Sequence, residues 1–120
     1  MKIVVTSQGN TLENDVDPRF GRCKYFIVYD TETDDFEAVD NTQNLNLPQG
    51  AGIQAGRIVV STKAEAVISG NMGPKAFTTL NSAGIKIYSG ASGTVKDAIE
   101  QFKSGDLSPS TDANVEGHWM

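Results

Sequence analysis

The stretch Ala66-Val-Ile-Ser-Gly-Asn-Met-Gly-Pro-Lys-Ala76 predicts three consecutive features: a buried strand, a glycine-rich loop and the start of a helix. An apolar run that ends at Gly70 is typical of a short strand in a parallel sheet, which is covered on both faces. Pro74 is favoured in the first turn of a helix, because an N–H there would have no partner within the helix. A strand that passes directly into a helix indicates an α/β fold.

The same order recurs towards the C-terminus. A second strand over Ile85–Tyr88 leads into the loop Gly90-Ala-Ser-Gly93 and then into a helix over Val95–Lys103. Thr94 is suited to cap this helix, and Asp97 lies at the position that completes a capping box. The C-terminal half therefore contains two strand–helix units.

The N-terminal half has a different pattern. Strands are predicted at Ile3–Val5, Tyr25–Tyr29 and Phe36–Asp40, and the polar turn 30–35 joins the last two. The three strands together are predicted to form an antiparallel meander. The spacing of apolar residues then changes, and it favours a helix of about three turns from Ile53.

The predicted order of elements is β-β-β-α-β-α-β-α. Right-handed crossovers place the later strands parallel to the first strand and cover the sheet with helices. The fold class is therefore α/β, with a mixed five-stranded sheet flanked by helices, and the strand order resembles that of ribonuclease H-like proteins. We expect a single domain over residues 1–106. The tail 107–120 is predicted to be mobile, because it is polar and has no periodicity.

Composition excludes several classes of protein. The net charge of −5 argues against binding to nucleic acid, because affinity for the phosphate backbone depends on clustered Lys and Arg. The apolar run at the N-terminus is too short for a signal peptide or a membrane-spanning helix. We therefore expect a cytoplasmic, monomeric protein that binds neither nucleic acid nor a membrane.

Enzymatic patterns are absent from the sequence. The one histidine, His118, lies in the predicted tail, so no Ser-His-Asp or Cys-His arrangement is available. No Gly-Lys-Ser/Thr triplet of a phosphate loop occurs. The first strand carries no carboxylate that could hold the metal ions of a nuclease. The sequence therefore predicts a protein that is not an enzyme.

Eight of the twelve glycines lie between Gly50 and Gly93, and they cluster before predicted helices. Ligands of open α/β sheets bind at the edge where parallel strands end, and helix N-termini at that edge favour anions. For any single loop, the alternative is that its glycines only form a tight turn. Together the loops predict an anion site. Its residues are Gly50, Ala51, Gly52, Gly70, Asn71, Met72, Gly73, Pro74, Gly90, Ala91, Ser92 and Gly93.

A basic segment, Arg19-Phe-Gly-Arg-Cys-Lys24, lies in the connection between the first two strands. Its two guanidinium groups are suited to pairing with an anion, and Gly21 would let the backbone approach closely. We therefore add Arg19, Phe20, Gly21, Arg22 and Cys23 to the predicted site. In the alternative, the two arginines neutralise Asp15 and Asp17.

Sulfur-containing residues offer two candidate soft ligands. Flanking positive charge would favour the thiolate of Cys23 and with it a metal–sulfur bond. Cys23 also precedes an apolar strand, so the alternative is a small buried residue. Met72 could present a thioether at the same edge, although a methionine beside a glycine loop more often packs in a core.

Four motifs occur in the order found in one known family. They are Val16-Asp-Pro-Arg-Phe-Gly-Arg-Cys-Lys-Tyr-Phe26, Gly50-Ala-Gly-Ile-Gln54, Ser69-Gly-Asn-Met-Gly-Pro-Lys-Ala76 and Gly90-Ala-Ser-Gly-Thr94. With them the chain resembles the dinitrogenase iron–molybdenum cofactor biosynthesis family over residues 1 to about 106. It is most similar to the small stand-alone members.

The resemblance implies a function. Such members carry a molybdenum–copper sulfide cluster without covalent attachment, and relatives in nitrogen fixation carry iron–sulfur precursors of the iron–molybdenum cofactor. A compact polyanion of this kind would be complemented by helix N-termini, by Arg19 and Arg22, and by Lys75. Many members have His or another polar residue at the position of Asn71. This departure weakens the expectation that the loop supplies a direct metal ligand.

The resulting hypothesis is a non-catalytic carrier of an anionic metal–sulfur cluster, with cluster-delivery or adaptor proteins as partners. The alternative is a regulatory or adaptor domain that binds a nucleotide, a phosphate or a protein at the same edge.

Overall fold

A five-stranded mixed sheet forms the centre of the molecule in the computed structural model, which describes residues 1–111. The strands lie in the order β3-β2-β1-β4-β5. They are β1 (Lys2–Ser7), β2 (Tyr25–Asp30), β3 (Phe36–Asp40), β4 (Ala66–Ile68) and β5 (Lys86–Tyr88). The predicted tail residues 112–120, including His118, lie outside the described part of the chain.

Strand direction confirms the predicted fold class. β1 pairs antiparallel with β2 and parallel with β4, and β5 continues in parallel beside β4. β3 pairs antiparallel with β2 at the other side of the sheet. The carboxyl ends of β1, β4 and β5 therefore share one edge of the sheet, which we call the carboxyl edge.

Three helices cover the two faces of the sheet. They are α1 (Ala51–Ser61), α2 (Pro74–Ser82) and α3 (Val95–Lys103). One core combines inward residues of α1 and α2 with the sheet residues Val4 and Val67, and a second core combines α3 with Ile3 and Val5. Because β1 sends alternate side chains to opposite faces, it contributes to both cores.

Two of the differences between the predicted and observed boundaries lie next to the carboxyl edge. α1 begins at Ala51, two residues before the predicted start at Ile53, so that Gly52 lies within its first turn. β4 ends at Ile68 rather than at Gly70. Beyond it the Ser69 and Gly70 carbonyls accept hydrogen bonds from the 90–91 backbone, which joins the two glycine-rich loops.

Contacts with the sheet continue beyond residue 106. The Ser110 N–H donates to the Ile87 carbonyl at 2.6 Å, and the Ser110 hydroxyl lies 3.0 Å from that of Ser89. Leu107 packs against the α3 core. Leu107 and Ser110 therefore contact the folded domain, although the sequence assigned them to the tail.

Within residues 1–111, no helix is long and apolar enough to cross a lipid bilayer.

Candidate functional site

The segment 16–23, which follows β1, runs across the carboxyl edge. The Val16 N–H donates to the Gly93 carbonyl at 2.9 Å, and the Asp17 N–H donates to the Thr6 carbonyl at 3.0 Å. Further along, Arg19 forms a parallel bridge with Asn71. The segment thus joins the loop before α2 to the loop before α3. All four predicted segments meet at this edge.

Two glycines make the close contacts in this assembly possible. A Cβ atom on Gly21 would lie 2.8 Å from the Gly52 backbone nitrogen, and one on Gly70 would lie 2.7 Å from Pro18 Cα. Both distances are too short for non-bonded atoms, and the opposing atoms belong to the backbone, which has no rotamer to change. The arginine-containing segment can therefore lie directly on the start of α1 and on the loop after β4.

The N-termini of α1 and α2 lie side by side. A Cβ on Gly52, in the first turn of α1, would meet Ala76 Cβ in the first turn of α2 at 3.3 Å. The N-cap residues are Gly50 and Gly73, neither of which has a side chain to accept a hydrogen bond from the helix. Two positive dipole ends therefore adjoin each other without an N-cap side chain, an arrangement that favours an anion.

The N-terminus of α3 differs from those of α1 and α2. The Asp97 N–H donates to Thr94 Oγ1 at 3.1 Å, and the Thr94 N–H donates to the Asp97 carboxylate at 3.1 Å. This capping box places the helix's own carboxylate where an external anion was expected. The loop from Gly90 to Gly93, with Ala91 buried and Ser92 exposed, therefore belongs to the edge structurally but is less suited to binding an anion.

Arg19 has an exposed side chain at this edge. Its Nε lies 3.7 Å from Asp17 Oδ1, and 47% of its side-chain surface is accessible. The predicted alternative, in which Arg19 pairs with Asp17, is therefore present in the structure. The pairing leaves much of the guanidinium open to solvent. Lys75, in the first turn of α2, is also exposed.

Arg22 has a different role from the anion contact that the sequence suggested. Its two terminal nitrogens donate to the carbonyls of Leu45 and Leu47, each at 2.9 Å. These bonds tie the arginine-containing segment to the chain that leads into α1. Asn41, which the sequence analysis did not identify, also fixes this segment, because its Nδ2 donates to the carbonyls of Gly21 and Cys23. No local sequence signal marks Asn41.

Three predicted site residues are fully buried and lie in the core beneath the edge: Phe20, Cys23 and Met72. The Phe20 ring packs on Phe26 with 5.5 Å between centroids. Burial raises the pKa of the Cys23 thiol well above its ordinary value, so the thiolate is disfavoured at neutral pH. This placement favours the alternative of a small buried residue and argues against a metal–sulfur bond from Cys23.

Direct metal ligation has little support elsewhere in the described residues. No group of three or more His, Cys, Asp and Glu side chains is arranged to hold a metal ion within 1–111. What the edge offers is the N-terminal dipole ends of α1 and α2 beside the exposed basic side chains of Arg19 and Lys75. Such a surface suits a preformed anion better than a bare cation.

A mixed five-stranded sheet flanked by helices, with a glycine-lined carboxyl edge, makes this an α/β protein. Comparison with known proteins gives its family. The family model for the dinitrogenase iron-molybdenum cofactor matches residues 1–105, and the chain belongs to this family.

Similar structures share the fold over nearly the whole chain. The apo form of the orange protein from Desulfovibrio gigas is 39% identical, with a TM-score of 0.93 over 95% of this chain and 96% of that chain. A Thermotoga protein of the DUF35 family, solved by NMR, is also 39% identical, with a TM-score of 0.84 over 97% and 98% of the two chains. An uncharacterized protein from Methanocaldococcus jannaschii is 29% identical over 110 residues, which is 89% of each chain.

Proposed function

We propose that this protein is a non-catalytic carrier that holds an anionic metal–sulfur cluster at its carboxyl edge. The cluster would be of the molybdenum–copper sulfide type or a precursor of the iron–molybdenum cofactor, bound without a covalent link. Partner proteins would deliver or receive the cluster. Membership of the dinitrogenase iron-molybdenum cofactor family supports a cargo of this kind.

One observation carries the proposal: the glycine-capped N-termini of α1 and α2 adjoin each other beneath the segment that bears Arg19. Backbone N–H groups at helix N-termini donate hydrogen bonds to an anion without requiring a particular side chain. The same N–H groups can donate to sulfide as well as to oxygen atoms at the surface of a cluster. Arg19 and Lys75 have exposed side chains and add positive charge at the rim.

The residues present fit a cluster held from outside, through its surface atoms. Phe20, Cys23 and Met72 are buried, so none of these side chains is accessible to a cluster resting on the edge. Retention should therefore depend on charge and hydrogen bonding rather than on covalent metal–sulfur bonds from the protein. Binding of this kind weakens as ionic strength rises, because salt screens exposed charges.

The test is a titration of the apo protein with tetrathiomolybdate and a copper salt, followed by desalting. We expect charge-transfer absorbance and protein-bound metal that survive desalting at low salt and diminish at high salt. A protein that develops no such absorbance and retains no metal would overturn the proposal.

A matched pair of variants localises the binding. Arg19→Ala should reduce retention, because it removes an exposed positive charge beside the helix N-termini. Lys63→Ala, at the opposite end of α1, removes an equal charge and should leave retention unchanged. Equal losses in both variants would point to a nonspecific effect of net charge.

A further inference from the structure

A buried carboxylate lies next to the candidate site. Asp17 is only 3% exposed, and its Oδ1 accepts a hydrogen bond from the Arg19 N–H at 3.0 Å, with the Arg19 Nε 3.7 Å away. A negative charge beside an anion site opposes binding. The protein nevertheless places this group there and excludes it from water.

The backbone of Asp17 is fixed by the end of β1. The Thr6 carbonyl accepts from the Asp17 N–H at 3.0 Å, while the Thr6 hydroxyl donates to the Asp17 carbonyl at 2.8 Å. The same Thr6 Oγ1 lies 3.2 Å from Ser69 Oγ, and the Ser69 hydroxyl donates to the Asn71 carbonyl at 3.2 Å. These bonds form a frame that reaches both sides of the Arg19–Asn71 bridge.

The carboxylate therefore has two separable effects. As a hydrogen-bond acceptor it orients the Arg19 backbone within the frame. As a charge it offsets the nearby Arg19 guanidinium and repels any anion that the guanidinium attracts, because the carboxylate lies only 3.7 Å from the Arg19 Nε.

We infer that Asp17 is a positioning residue that sets Arg19 for binding and whose charge limits the affinity for the anion, so that the carrier can release its cargo. This inference rests on the proposed function. A carrier must bind and release, and a fixed counter-charge beside the binding arginine favours release without dismantling the site.

The test separates the two effects with two substitutions. Asp17→Asn keeps an oxygen acceptor for the Arg19 N–H and removes the charge, whereas Asp17→Ala removes both. Each variant is loaded with tetrathiomolybdate and copper, and release is followed by the decay of charge-transfer absorbance in the presence of a competing chelator at pH 8. We expect release from Asp17→Asn to be about tenfold slower than from the wild type. Release from Asp17→Ala should be faster than from Asp17→Asn.

A matched charge control is Asp35→Asn. Asp35 is exposed in the turn between β2 and β3, at the opposite end of the sheet, and its substitution should leave the release rate unchanged. Release from Asp17→Asn at the wild-type rate or faster, or equal slowing in Asp35→Asn, would overturn the inference. Failure of the wild type to retain the cluster would instead contradict the proposed function.

A measurement on the unloaded proteins tests the positioning effect alone. Exchange of the Arg19 amide hydrogen should remain slow in Asp17→Asn and become at least tenfold faster in Asp17→Ala, because only alanine removes the acceptor. Equal exchange of this amide in the two folded variants would contradict the positioning role.

Discussion

At the scale of single residues, two arginines of one short segment have different roles. The Arg22 guanidinium donates hydrogen bonds to the carbonyls of Leu45 and Leu47. The Arg19 guanidinium instead pairs with Asp17 at 3.7 Å and remains exposed to solvent. Neither the charge nor the spacing of these residues in the sequence distinguishes one arginine from the other. The difference arises because residues 45–47, distant along the chain, present carbonyl groups to only one of them.

The first prediction separates these roles. Arg22→Ala should lower the free energy of unfolding by about 1 to 3 kcal/mol, because two partly buried carbonyls lose a charged donor. Arg19→Ala should change it by less than about 0.5 kcal/mol, as for other exposed positions. Urea unfolding of both variants measures the difference, and equal destabilisation would contradict the assignment.

The second prediction concerns Cys23. Its buried thiol, with a raised pKa, should react with a thiol reagent such as Ellman's reagent only after unfolding. Cys23→Ala should retain the metal cluster as well as the wild type does. Rapid labelling of the native protein, or loss of the cluster from Cys23→Ala, would restore a ligand role for the sulfur.

At the scale of elements, the site depends on how closely loops and helices approach. The Gly21 backbone lies against the first turn of α1, and Gly70 lies against Pro18. The sequence showed that glycines cluster before helices, and so it located the edge. The sequence also predicted the capping box of Thr94 and Asp97 at α3, and the structure confirms it. Gly50 and Gly73 provide no such cap at α1 and α2.

The third prediction tests close approach at Gly21. Gly21→Ala should destabilise the fold by about 1 to 3 kcal/mol and also reduce cluster retention, because the added methyl group pushes the segment away from α1. Gly84→Ala is the control. Its positive φ of 78° gives a backbone cost of about 1 to 2 kcal/mol, but nothing lies within 4 Å and the site is remote. Retention should fall only in Gly21→Ala.

The fourth prediction concerns the cap of α3. Thr94→Ala should cost about 1 kcal/mol of stability, as measured by thermal or urea unfolding, because it removes half of the capping box. Retention of the metal cluster should be unaffected, since the proposed site lies at the N-termini of α1 and α2. A Thr94→Ala variant that is stable but fails to retain the cluster would indicate that the N-terminus of α3 contributes to the site.

At the scale of the whole molecule, the sheet order and the strand directions follow from sequence patterns that the structure confirms. Local periodicity was sufficient for the elements, and the crossover rule was sufficient for the parallel direction of β4 and β5 relative to β1. The polar frame at the carboxyl edge was not predictable in the same way. Thr6, Asp17 and Ser69 come from three separate segments, and their hydrogen bonds exist only after the sheet has formed.

The fifth prediction is a pH dependence of global stability. Burial raises the pKa of Asp17 above its ordinary value of 3.8, with partial compensation from Arg19. The folded state therefore binds this proton more tightly than the unfolded state does. The stability from this group is complete below pH 3.8 and is lost as the pH rises through the folded pKa.

Asp17→Asn removes this dependence. Its free energy of unfolding relative to the wild type should therefore increase between pH 4 and pH 7, as measured by urea unfolding at both values. Asp35→Asn provides the comparison, because its side chain is exposed in a turn. If the wild type instead became more stable relative to Asp17→Asn as the pH rises, the predicted direction of the pH dependence would be wrong.

The glycine-capped pair of helices has a consequence for how such a protein tolerates mutation. Because the binding groups of the proposed site belong to the main chain, no single truncation of a side chain removes them. In a systematic substitution survey, cluster retention should be most sensitive to changes at the glycines of the edge. Substitutions at the charged rim should have comparatively mild effects. Cargo preference could then diverge among relatives through changes at the rim alone, while the backbone that receives the cargo stays the same.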